Sequence, residues 1–189
     1  VAVTKSLKSS MAGGVAAALA LGAIVLPATT ADARPLGEEI RIGIMDHDTG
    51  LIRDRRETDS PDINAEVLFA SPEFLDWAYS PRPLIGATIN TDDGTSLGYA
   101  GLGWNFDLGS NFFFDASFGA AIHNGETDKV TNSSRNYGCR VQFHETISIG
   151  YDLTANHSLM ATFEHMSNAE LCDKNDGMTD IGIRYGYRF

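Results

Sequence analysis

In the stretch FEHMSN, residues 163–168, a histidine and a serine stand two positions apart, His165 and Ser167. An imidazole within reach of a hydroxyl can take its proton as general base, leaving an oxygen nucleophile that attacks an ester carbonyl. On a β-strand, residues i and i+2 point to the same face with Cα atoms about 6–7 Å apart, so the two side chains can meet. The segment alternates as a strand does. Leu159, Ala161 and Phe163 share parity with the pair, while Met160, Thr162, Glu164 and Met166 take the other face. H-x-S is also a common tripeptide, and a strand end near lipid headgroups tolerates both residues without any chemistry. The elements that hold the pair must therefore decide.

Those elements are strands. Period-two alternation of apolar with polar or small residues predicts eight of them, over 39–45, 63–69, 83–90, 96–108, 112–123, 139–153, 158–168 and 178–189. The fourth sets Ala100, Leu102, Trp104, Phe106 and Leu108 against Gly101, Gly103, Asn105 and Asp107; the last sets Ile181, Ile183, Tyr185, Tyr187 and Phe189 against Gly182, Arg184, Gly186 and Arg188. Glu145 interrupts the apolar parity of the sixth strand and suggests a bulge or an inward turn there. The fold class read from this pattern is all-β: an eight-stranded antiparallel transmembrane β-barrel of the outer membrane, its apolar face toward lipid. An even strand number puts both ends on the periplasmic side. The polar segment NGETDKVTNSSRN then becomes an external loop, and 70–82, with Trp77 and Tyr79, a periplasmic connection anchored at headgroup level. Eight strands leave an interior filled by side chains rather than a wide pore.

The first 33 residues read as a signal peptide, and 34–189 as the barrel. Lys5 and Lys8 precede the apolar run AGGVAAALALGAIVLPA, and Ala31-Asp32-Ala33 forms a small-x-small cleavage site. Beyond it no run of about 20 apolar residues remains to form a transmembrane helix. The net charge of −11 argues against nucleic acid as a partner, since phosphate binding needs basic patches. An exported chain enters a compartment where disulfides persist, so Cys139 and Cys172 can pair, with two free thiols as the alternative. Nothing in the spacing of His and Cys suggests a zinc or haem site, and no cofactor is expected.

The segment HMSNAELCDKNDG, followed by a closing strand, resembles the PagL-type lipid A 3-O-deacylases, as do RPLIGATINT, TSLGYAGLGWNF and GAAIHNG. The resemblance implies an outer-membrane hydrolase that removes the 3-O-linked acyl chain of lipid A in the outer leaflet without metal or cofactor. Its partners would be lipopolysaccharide, outer-membrane lipids and the barrel assembly machinery; the terminal Phe189 is like the signal such barrels present to that machinery. A homodimer is compatible with it. Carried over by motif, Ser167 matches the nucleophile, His165 the base, and Asn168 and Asn175 asparagines near the oxyanion site, where donors stabilise the developing negative oxygen. The family's acid, a glutamate two residues past the glycine of N-D-G, is replaced here by Thr179. Loss of such an acid in another serine hydrolase cost about 10⁴ in turnover. Thr179 can orient His165 as a neutral acceptor, and Glu170 or Asp176 in the preceding loop are the substitutes considered for the acid. The alternatives are a weak or inactive barrel of the same family with a structural envelope role, and a small soluble ligand-binding barrel.

Overall fold

The computed structural model describes residues 37–50, 57–128 and 135–189. The signal peptide read at 1–33 lies outside the described residues, as does part of the loop predicted at 124–136. Eight strands follow in chain order: β1 (Glu39–Asp46), β2 (Asp62–Leu68), β3 (Arg82–Asn90), β4 (Leu97–Gly109), β5 (Phe112–His123), β6 (Val141–Asp152), β7 (His157–Ser167) and β8 (Met178–Arg188). Each pairs antiparallel with its neighbours in sequence, and β1 closes on β8 from Glu39↔Arg188 to Asp46↔Ile181. Closure leaves no exposed strand edge.

Strand period and closure together sort the side chains. On the outer wall Ile42, Ile44, Ile63, Ile85, Phe118, Ile147, Ile149, Leu159, Ile183 and Tyr185 are exposed. An apolar belt of this extent on a closed barrel is the surface of an outer-membrane protein. The inner positions are buried, and many are charged. Arg41 lies at the centre of one network: its Nε donates to Glu39 at 2.7 Å, and its two terminal nitrogens bond Asp115 on the far wall at 2.9 Å each. Glu66 lies 3.3 Å from the same guanidinium. Nearby, Tyr99 stacks on His144 with ring centres 4.0 Å apart, and His144 Nε2 lies 2.6 Å from Glu164. The Tyr99 ring lies over Gly86, where any Cβ would collide with it. The lumen is a packed polar core.

The two rims differ. At one, β4 and β5 are joined through Ser110 and Asn111, both at positive φ, as a two-residue hairpin of type I′ requires. The register shifts at Asp107/Gly109, and the Gly109 amide donates to Asp107. On the same rim a short 3₁₀ helix over Glu73–Ala78 exposes Phe74 and Trp77, with exposed Tyr79 just past its end, and Trp104 Nε1 holds it by a 2.8 Å bond to the Ala78 carbonyl. These aromatics suit the headgroup zone. The opposite rim carries the longer polar connections and is external by the rule for such barrels.

One expectation is corrected. No bulge forms at Glu145: β6 pairs without interruption with β5 and β7, and Glu145 keeps its outward place opposite Phe118 and His165. A bulge would leave ladder groups unpaired in a water-poor environment, whereas a long side chain near the external rim has neighbours on either strand.

Removing the Arg41 charge takes its cation from buried Asp115 and weakens the pairing of Glu39 and Glu66, which keep Arg82 and Arg184. The variant Arg41→Met is expected to lose about 3–5 kcal/mol of stability, read as a lower urea midpoint for the barrel refolded in detergent.

Candidate active site

The pair His165–Ser167 occupies the external end of β7, on the outward parity set by Leu159 and Ala161, and both residues are half-buried. Their inward neighbours Glu164 and Met166 are fully buried in the lumen. On β8, His165 faces Thr179, and His165 Nδ1 lies 2.9 Å from Thr179 Oγ1. With Nδ1–H donating to that hydroxyl, the lone pair sits on Nε2, the tautomer a general base needs. No hydrogen bond joins Ser167 Oγ to His165 among the described residues; catalytic bonds of this kind are commonly long before substrate closes the site.

The connection from β7 to β8 is built to cover this pair. Ala169 and Glu170 take positive φ, and the Leu171 amide closes the turn on the Asn168 carbonyl at 3.0 Å. Gly177 also has positive φ (64°), and a Cβ there would press on the Met166 carbonyl and touch His165 and Ser167. The glycine is thus both the hinge into β8 and the clearance above the pair. Asn168 is buried, and its amide nitrogen donates to the carbonyls of Tyr137 (2.8 Å) and Lys174 (2.6 Å). That side chain is committed to holding the turn, and it leaves Asn175 as the oxyanion candidate. Asn175 Oδ1 accepts the Asn168 backbone amide at 2.9 Å, which ties it to the end of β7.

The two acids considered in the loop fall elsewhere. Glu170 is exposed to solvent. Asp176 accepts the Asn136 amide at 2.7 Å, joining this loop to the one before β6, although it also borders a cavity of about 10 Å³ next to His165. Asp180 points into the lumen, where it accepts the Asp48 amide. Cys139 and Cys172 are bridged, with Cα atoms 6.1 Å apart, and the bridge fastens the same two loops.

Sequence reasoning missed the contribution of the first external connection. The Thr49 amide donates to the Thr179 carbonyl at 2.8 Å, and Asp48 takes both Nε and a terminal nitrogen of Arg135 at 2.7 Å. Beneath them His47 is fully buried, with Nδ1 2.8 Å from Asp62 and Nε2 3.1 Å from Glu57. Donors of His47, Asp62 and Asp180 lie within 4.8 Å of one another. With a carboxylate on each ring nitrogen, this is an imidazolium clamped by acids. Burial alone would lower its pKa, but the bonds to Asp62 and Glu57 outweigh that and hold it at about 10. No sequence motif announces this contact, because its members come from β2, β8 and two loops.

A closed eight-stranded antiparallel barrel with an apolar outer belt defines a class of outer-membrane proteins. The family profile described as Lipid A 3-O-deacylase (PagL) matches residues 91–188, more than half of the chain, and the chain belongs to that family. Lipid A deacylase PagL of Bordetella bronchiseptica is 26% identical over 81 residues, and the match spans 43% of each protein. The crystal structure of the outer membrane enzyme PagL superposes with a TM-score of 0.59 at 16% identity, covering 80% of this chain and 99% of that one. Neisserial surface protein A gives 0.51 at 11% identity, covering 80% and 96%. These two likenesses speak to the barrel. As a member of the family, the protein is one of the bacterial outer membrane.

The His47 clamp has a pH signature. A folded-state pKa of about 10 above the unfolded value of about 6.5 means its stabilisation is complete below about pH 6.5 and lost as pH rises through 10. His47→Gln is therefore expected to be destabilised most at pH 6, with the gap from the parent closing toward pH 10 in urea titrations.

Proposed function

We propose that this chain is a carboxylic ester hydrolase that removes the 3-O-linked acyl chain of lipid A from the outer leaflet, with Ser167 as nucleophile and His165 as base. The observation that carries this reading is the His165–Thr179 bond beside Ser167 on the lipid-facing wall. It holds the imidazole in place where an acyl ester, and little water, has access, and it is compatible with the tautomer whose lone pair sits on Nε2. Asn175 is the oxyanion donor in this reading. An apolar depression of about 280 Å³ lies alongside, lined by Ala120, Val141, Phe143, Leu171 and the Cys139–Cys172 bridge. Phe143 is the cross-strand partner of Ser167, so an acyl chain seated there would end at the hydroxyl. The chemistry needs neither metal nor cofactor, because a Ser–His pair and a donor suffice for acyl transfer. Lipopolysaccharide is the substrate and partner. Removal of residues 1–33 on export and barrel insertion by the assembly machinery belong to the same reading, and homodimerisation is compatible with it.

A second reading, a barrel of the same family with a structural envelope role, is favoured by the missing Ser167–His165 bond and by the neutral Thr179. Mass spectrometry of lipid A from cells with and without the protein separates the two. The expected result is loss of one ester-linked hydroxyacyl group in producing cells, abolished by Ser167→Ala. Identical lipid A in producing and non-producing cells would leave only the structural role.

A further inference from the structure

The third partner of a serine–histidine pair has two separable jobs. It fixes the imidazole tautomer by accepting the Nδ1 proton, and it supplies negative charge that stabilises the imidazolium once the nucleophile's proton arrives. Thr179 can meet the first requirement by accepting the Nδ1 proton across its 2.9 Å contact but carries no charge for the second. Resting on the deacylase reading above, we propose that the two jobs are divided between the strands flanking β7: Thr179 on β8 orients His165, and Glu145 on β6 supplies the charge.

The register places His165 directly between them, opposite Thr179 on one side and opposite Glu145 on the other. Directly opposed residues of an antiparallel pair have Cβ atoms about 4.5–5.5 Å apart on the same face, so a flexible glutamate reaches the edge of the ring. Glu145 shares the outward face with Phe143 and Ile147. A carboxylate on a lipid-facing wall is costly and calls for a partner. Yet its Oε2 is buried with no hydrogen-bond partner among the described residues. The other acids near the pair are otherwise engaged. Glu164 binds His144 and Thr88 in the lumen, Asp180 binds the Asp48 amide, and Asp176 binds the Asn136 amide.

The step balances without Glu145 gaining a proton. Ser167 Oγ adds to the acyl carbonyl carbon as its proton passes to His165 Nε2. The sugar oxygen then leaves, taking that proton. Water next attacks the acyl-serine, giving its proton to Nε2; the proton returns to Ser167 Oγ as the fatty acid departs. In both halves the ring is positively charged at the transition state, and a carboxylate that swings to within about 5 Å of it, in a medium of effective dielectric about 20, would be worth a factor of about 100 in rate. Glu145 acts through His165 and is a positioning residue.

The test uses the full barrel, refolded in detergent with lipid A as substrate, and the variants Glu145→Gln, Ser167→Ala, Thr179→Glu and Glu145→Gln combined with Thr179→Glu. Glu145→Gln should lower kcat about 100-fold with little change in KM, while keeping the heat-modifiable gel shift of a folded barrel. Adding Thr179→Glu returns a charge from the other flanking strand and should recover most of that loss, raising kcat far more in the Glu145→Gln background than in the parent, a non-additivity that a merely structural contact on β6 would not give. Full kcat in Glu145→Gln, with Ser167→Ala inactive, overturns the role of Glu145 and leaves the deacylase reading standing. A slow Glu145→Gln that Thr179→Glu fails to rescue overturns it too. A parent protein that leaves lipid A intact overturns both readings. Glu145→Ala serves the same purpose if the glutamine variant yields no folded band.

Discussion

Closure of the sheet is the constraint on which everything else in this molecule depends. Once β1 pairs with β8, each residue has only two environments open to it, a lumen that is narrow and packed or a wall that faces lipid. The alternation that fills the wall with isoleucine and phenylalanine fills the lumen with Arg41, Arg184, Glu66, Glu164 and Asp115. Charges buried in this way are stable only with compensating partners, and the ion pairs across the lumen provide them. The interior therefore acts as a rigid polar core, against which the outer wall is held in register.

That rigidity gives the candidate site its geometry. His165 and Ser167 belong to a strand paired on both sides, and Thr179 meets the imidazole from the first turn of pairing on β8. Sites on paired strands are held more tightly than sites on loops. The loops contribute instead from above. The disulfide, the Asn168 amide and the Asp48–Arg135 pair draw three external connections together over the strand ends. The pair is thus reached from the bilayer side, while its ceiling is fixed by bonds among segments far apart in sequence.

Polar groups on the outer wall are few, and each asks for a reason. Trp77 and Tyr79 have one in the headgroup zone of the opposite rim. His165, Ser167 and Glu145 lie together near the external rim on neighbouring strands, and the chemical role proposed for them would give all three one cause. In the proposed arrangement an acid on the other flanking strand would keep the electrostatics of a triad while changing its connectivity. Convergent triads show that geometry and role matter more than chain position.

Strand number, parity and the lipid-facing place of His165 and Ser167 were legible in the sequence, because a period of two is a local property and the eight strands lie within about two residues of the expected bounds. The place of Thr179 where the family carries an acid was legible only through the resemblance, as a fixed offset from N-D-G. The fate of Glu145 was not. Along its own strand it is only a break in the pattern, and its meaning comes from the residue opposite it, which register alone decides. The commitment of the Asn168 amide, the Cys139–Cys172 bridge and the burial of His47 against Glu57, Asp62 and Asp180 likewise rest on contacts between distant segments. Hydrophobic periodicity assigns each residue a side of the wall; only the closed barrel and its knitted loops assign it a neighbour, because pairing depends on where two strands meet rather than on what either one contains.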